Sequence, residues 1–164
     1  LSDRTIRIYP DPVLREPTRE IEQFDDDFRS FLKEMESLMY EYDGVGLAAP
    51  QVGESLKVAV IAYEGKLHVL INPRIVDYDG RQVDQEGCLS FPGIFEDVAR
   101  PASVVVEAQD ENGEPYSVEA EGFLARAMCH EIDHLNGKLM IDHLSPMKRE
   151  MVKKKLKKRK KEDL

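Results

Sequence analysis

At 164 residues with 41% hydrophobic side chains, the chain has the size of one domain and enough apolar material for a core. No apolar run approaches the roughly 20 residues of a membrane-spanning helix. The start, Leu1-Ser2-Asp3-Arg4, lacks a signal-type apolar stretch, and Cys88 and Cys129 are too few for a disulfide framework.

The net charge of −9 divides unevenly. Residues 147–164 hold ten Lys/Arg against three acids, or +7, which leaves 13 against 29, or −16, for residues 1–146. The expected organisation is one domain, its catalytic body over residues 1–146 and its basic C-terminal helix or tail over 147–164. A soluble cytoplasmic protein is expected. An organellar one, with a targeting segment removed upstream of Leu1, would read the same.

In chain order, Pro10-Asp11-Pro12-Val13-Leu14 is turn-rich, because each proline fixes its own φ and discourages helix in the residue before it. From Asp25 to Tyr42, Phe28, Phe31, Leu32, Met35, Leu38, Met39 and Tyr42 recur with helical spacing behind an acidic first turn. A glycine-spaced loop follows over Gly44–Gly53. Strands are expected at Val58–Ala62, His68–Ile71, Ile75–Tyr78, Ser103–Ala108 and Tyr116–Glu121, with hairpin turns at Asp79-Gly80 and Asn112-Gly113. Phe123–Leu135 returns to helical spacing between Gly122 and Gly137. Pro146 suits the start of a last helix, with Met147, Met151 and Val152 as a thin apolar face. The pattern spells an α+β fold: largely antiparallel sheets around a central helix, with a C-terminal helix.

His130-Glu131-Ile132-Asp133-His134 lies inside the second helix. Residues four apart are about 40° apart around a helix, so both imidazoles can share one ion, and Glu131 can reach a bound water without being a ligand. A catalytic site of this kind usually takes a third protein ligand. In metzincins that ligand is a further His, but Met140 occupies its position here. Glu150, a thermolysin-like alternative, lies in the basic tail with no supporting motif. The remaining strong ligand type is cysteine. Cys88, in Gln85-Glu86-Gly87-Cys88-Leu89-Ser90-Phe91-Pro92, offers a soft thiolate in a turn-prone stretch. A lone cysteine is more often a small buried hydrophobe, and Cys129 fits that description. His68 and His143 fall outside every motif and read as ordinary polar residues.

Gly44-Val45-Gly46-Leu47-Ala48-Ala49-Pro50-Gln51, Glu86-Gly87-Cys88-Leu89-Ser90 and His130-Glu131-Ile132-Asp133-His134 resemble the three motifs of peptide deformylases, in order and spacing. Asp11-Pro12-Val13-Leu14-Arg15 also resembles that family's N-terminal segment. Cys129 departs from the Gln that many members carry before the first His, at a position that is no ligand. The resemblance implies removal of the formyl group from the N-terminal formylmethionine of newly made polypeptides. It implies Cys88, His130 and His134 as ligands of one divalent metal ion, natively Fe(II), with zinc, nickel or cobalt able to take the same site. Glu131 would be general base and then acid, and the Gln51 amide and Leu89 N–H the oxyanion donors. Val45, Gly46, Phe123 and Ala127 are the candidate substrate-binding residues, with Arg126 at the rim and Glu86 with Arg100 as a supporting ion pair. The expected partners are formylmethionyl nascent peptides; the basic tail reads either as a solvated helix end or as a contact for ribosomal RNA. The family habit is a monomer.

Overall fold

The computed structural model describes residues 3–162. Helix α1, Asp26–Glu41, stands one residue inside the predicted span at each end, because Asp25 caps it by accepting the Phe28 N–H at 2.9 Å and Tyr42 closes it. Its buried stripe of Phe28, Leu32, Met35, Leu38 and Met39 packs on Leu47, Val58 and Val60.

Those partners belong to a five-stranded sheet. Its strands are β1 (Gly46–Ala48), β2 (Val58–Tyr63), β3 (Lys66–Asp79), then β6 (Ser103–Gln109) and β7 (Pro115–Glu121), ordered β1-β2-β3-β6-β7 and antiparallel throughout. Strand β2 reads as a continuous apolar run because both faces of the sheet are covered. Val58 and Val60 meet α1, while Ile61 faces α2 (Gly122–Leu135). The hairpin between β2 and β3 turns on Glu64 and Gly65, both at positive φ (49° and 76°), as a two-residue turn between right-twisted strands requires.

Two predicted strands, His68–Ile71 and Ile75–Tyr78, form the single long β3. Asn72 takes φ 51°, and the ladder to β6 slips between Ile71 and Arg74, which carries Pro73 through the sheet at an irregularity. Asn112-Gly113 does turn the β6–β7 hairpin. Asp79-Gly80 does not make a hairpin. There the chain leaves the first sheet and enters β4 (Gln82–Gly87), which pairs only with β5 (Phe95–Arg100) in a separate two-stranded sheet.

Helix α2 lies between the sheets. Ala125, Met128, Cys129 and Ile132 pack on Ile61, Leu70, Val104 and Val106 of the larger sheet, while Arg126 donates to the Val98 carbonyl of β5 at 2.8 Å. The architecture is α+β with a central motif-bearing helix. The C-terminal helix α3, Pro146–Glu162, is fixed by Val152 and Leu156, which join Phe91, Ile94, Val98 and Leu139 in a second core. Met147 and Met151, expected on that apolar face, are 75% and 51% exposed, and Leu156 takes their place. No described helix is long and apolar enough to cross a membrane.

Candidate active site

One turn of α2 separates His130 from His134, and their rings lie 4.9 Å apart, both buried. Strand β4 delivers Cys88 to the same point: its Sγ is 3.4 Å from His134 Nε2. Ligand atoms of Cys88, His130 and His134 all fall within 4.8 Å of one another. His130 Nδ1 is engaged by Glu86 Oε2 at 2.8 Å, which leaves Nε2 as its donor and fixes the ring, the usual arrangement behind a metal-binding imidazole. A thiol and two imidazoles, converging from a helix and a loop, could hold a divalent transition ion.

Behind the ligands stands a buried charge network. Arg100 grips Glu86 with two hydrogen bonds, Nε to Oε1 at 2.9 Å and Nη2 to Oε2 at 2.7 Å, and Arg126 adds a third to Oε1 at 3.1 Å. Burial alone would raise the Glu86 carboxyl, but its bonds to His130 and Arg100 outweigh that and hold it well below the usual carboxylate range. Glu86 and Arg100 are therefore the ion pair behind the Cys88 loop, not separate surface charges. Arg126 lines the cavity, but not as an exposed rim on an aliphatic stem: it is 3% exposed and part of the same network. Arg100 also reaches Asp133 at 2.7 Å, and Asp133 meets His143 Nε2 at 2.8 Å. His143 is thus tied to the site rather than an ordinary polar residue. The sequence offered no periodic signal for it, because its partner lies across the Gly137 turn. Cys129 is the buried hydrophobe it resembled, with burial pushing its thiol up to about 11.

Glu131 is buried on the adjoining face of α2, and its Oε1 has no hydrogen-bond partner among the described residues. Burial pushes its carboxyl up to about 7. Gly46 lies against it: a Cβ there would stand 2.5 Å from Glu131 Oε2, so only glycine lets β1 come this close. Gln51, 1% exposed in the turn after β1, accepts the Ala48 N–H at 3.0 Å through Oε1. That bond orients its amide, which donates to Ser90 Oγ at 3.1 Å and approaches Cys88 Sγ at 3.6 Å. Ser90 was not foreseen in this role. Leu89 is the first central residue of a turn closed by Phe91 N–H to the Cys88 carbonyl at 2.9 Å, and among the described residues its own N–H has no hydrogen-bond partner.

A cavity of about 710 Å³ opens over these groups. Val45, Gly46, Gln51, Cys88, Leu89, Phe123, Ala127, His130 and Glu131 all line it, with His134 behind Cys88. Val45 and Phe123 are 42% and 46% exposed on its wall, and Phe123 stacks on Tyr63 with ring centroids 5.6 Å apart.

The family model described as polypeptide deformylase matches residues 3–150. The chain belongs to the peptide deformylase family. It is 48% identical to a peptide deformylase of Brucella suis over 164 aligned positions, covering 96% of this chain and 94% of that one. It is likewise 48% identical to one from Alkalilimnicola ehrlichii, over 93% of this chain and 88% of the other. The crystal structure of a Legionella pneumophila peptide deformylase superposes with a TM-score of 0.95 at 43% identity, covering 99% of this chain and 98% of that one. The plant peptide deformylase 1B structure gives 0.91 at 38% identity, over 99% and 91%. Peptide deformylases are metal-dependent hydrolases, and among the described residues Cys88, His130 and His134 form a group that could hold an ion.

Proposed function

We propose that this enzyme removes the formyl group from the N-terminal formylmethionine of newly made polypeptides. The observation that carries the reading is the meeting of Cys88 with two α2 imidazoles beside a buried Glu131, whose Oε1 has no hydrogen-bond partner among the described residues, under a cavity with apolar walls. Cys88, His130 and His134 would hold a divalent ion, which would supply Lewis acidity and lower the pKa of water at the site. Glu131 takes the proton of the attacking water as its oxygen bonds to the formyl carbon. As the carbon–nitrogen bond breaks, Glu131 returns that proton to the methionine nitrogen, and the departing formic acid ionises to formate as its remaining proton passes to the free amine. A carboxyl near neutrality suits both transfers. The Gln51 amide and the Leu89 N–H donate to the formyl oxygen as it becomes negative, and Gln51 is preorganised by Ala48 and Ser90. Val45, Phe123 and Ala127 receive the methionine side chain, and Gly46 admits the substrate backbone.

The test is formate release from a formyl-Met-Ala-Ser peptide beside a longer unformylated peptide. Formate from the first with the second intact is expected; cleavage of internal bonds would replace this reading with an endopeptidase. Gly46→Ala should cost on the order of a hundredfold in kcat/KM by displacing Glu131. Wild-type kinetics in that variant would show that the carboxylate is not held by β1.

Two finer readings accompany it. Fe(II) is the native ion by family resemblance, and the thiolate ligand suits a softer transition metal. The iron-loaded enzyme should then lose activity in air, and full activity after aeration would count against iron. The outward lysines of α3, Lys154, Lys157, Lys158 and Lys161, would contact ribosomal RNA. Truncation cannot test this cleanly because Val152 and Leu156 are core residues. Reversing those four charges should weaken co-sedimentation with ribosomes at low salt; unchanged co-sedimentation would sink the idea.

A further inference from the structure

The Pro92–Gly93 loop that walls the catalytic cavity also borders a second space. There the N-terminal segment and α3 enclose a groove of about 700 Å³. Ile8 and Pro92 line both, so groove and cavity adjoin along these two side chains. The groove has apolar walls in Ile8, Pro10, Pro92 and Leu156, and cationic ones in Arg159 and Lys160. Arg159 follows Val152 by seven residues and Leu156 by three, and Lys160 follows Leu156 by four, which sets both toward the body of the protein. A Cβ at Gly93 would collide with the Arg159 guanidinium, so that group lies against the loop itself. Among the described residues, the ion pairs of α3 are made by Lys148 and Lys153, not by Arg159 or Lys160. Among the described residues that line the groove the one carboxylate, Asp11, is committed to Arg7 at 3.1 Å and to the Val13 N–H at 3.0 Å.

We propose that this groove receives the downstream part of the formylated polypeptide, and that Arg159 and Lys160 favour acidic side chains there. The proposal rests on the deformylase reading. A cavity of 710 Å³ is about 9 Å across, and an extended chain advancing ~3.3 Å per residue crosses it in about three residues. The groove then meets roughly the fourth to sixth residues. Two cations without an ion-pair partner among the described residues, beside an apolar floor, suit a segment that combines carboxylates with aliphatic side chains.

The experiment compares amidated formyl-Met-Ala-Ser peptides extended by three Asp, three Ala or three Lys, with unextended formyl-Met-Ala-Ser as reference. It uses the parent and the Arg159→Glu/Lys160→Glu double variant, at low and high salt. In the parent, kcat/KM for the Asp peptide should exceed that for the Lys peptide about fivefold at low salt, carried by KM, and the ratio should shrink as salt screens it. In the variant the order should reverse, while the unextended peptide is turned over equally by both proteins. Equal ratios in parent and variant, or an equal fall on the unextended peptide, would overturn the proposal. No formate from the unextended peptide in the parent would remove the deformylase reading and this inference with it; formate with a flat charge series would remove this inference alone.

Discussion

Replacing Glu131 with glutamine should lower kcat for formate release by about 10²–10⁴-fold and leave KM nearly unchanged. The substitution keeps the side chain's shape and removes only its capacity to take and return a proton. It should also leave stability intact. Glu131 is 4% exposed, with one oxygen unpartnered, so the change strands no cation and relieves an ionised group of its desolvation. Metal content should match the parent, because Glu131 is not a ligand. A glutamine variant retaining more than a tenth of the parent kcat would remove Glu131 from the proton-transfer role.

Glu86→Gln should fail differently. Glu86 and Arg100 side chains are each 4% exposed, and Arg126 and His130 lean on the same carboxylate. Neutralising it leaves Arg126 with the Val98 carbonyl and Arg100 with Asp133, so buried positive charge goes uncompensated. The expected cost is about 3–5 kcal/mol by urea unfolding of the metal-free protein. Glu107→Gln provides the contrast, since its pair with Arg74 is 46% and 73% exposed and should be worth less than about 1 kcal/mol. The variant should also bind metal about 10–100-fold more weakly, because His130 loses the partner that fixes its ring. A stability loss no larger than that of Glu107→Gln would mean the network is not a structural support.

What the sequence revealed depended on how local the signal was. The His130–His134 pair is legible because four residues on a helix is a local geometry. The larger sheet is legible where apolar residues alternate or run together, as in β2 and β6. Strands β4 and β5 were missed for a physical reason: the buried positions of Gln82–Gly87 and Phe95–Arg100 include Glu86 and Arg100, so charges point inward where periodicity expects them to point out. The same inversion hid the size of the Glu86 network, which draws on β4, β5 and α2 at once. Strand β1 is three residues long and contains Gly46, whose absent side chain reads as loop yet serves the approach to Glu131. Cys88 stands 42 residues before His130, a distance no spacing rule spans, so it was reached as a soft ligand type in a turn-prone stretch and then by motif resemblance. Asp79-Gly80 carried a sound turn signal, but which strand the chain joins next is set by tertiary packing.

On the proposed mechanism, hydrolysis needs one ion held by Cys88, His130 and His134. The most direct test of that requirement is anaerobic titration of metal-free protein with Fe(II) or Ni(II), reading formate release at each addition. Activity should rise linearly from near zero and level off at one equivalent per chain, while Cys88→Ala stays inactive at the same metal concentration. Full activity in the metal-free protein, or a parent-like titration in Cys88→Ala, would contradict it.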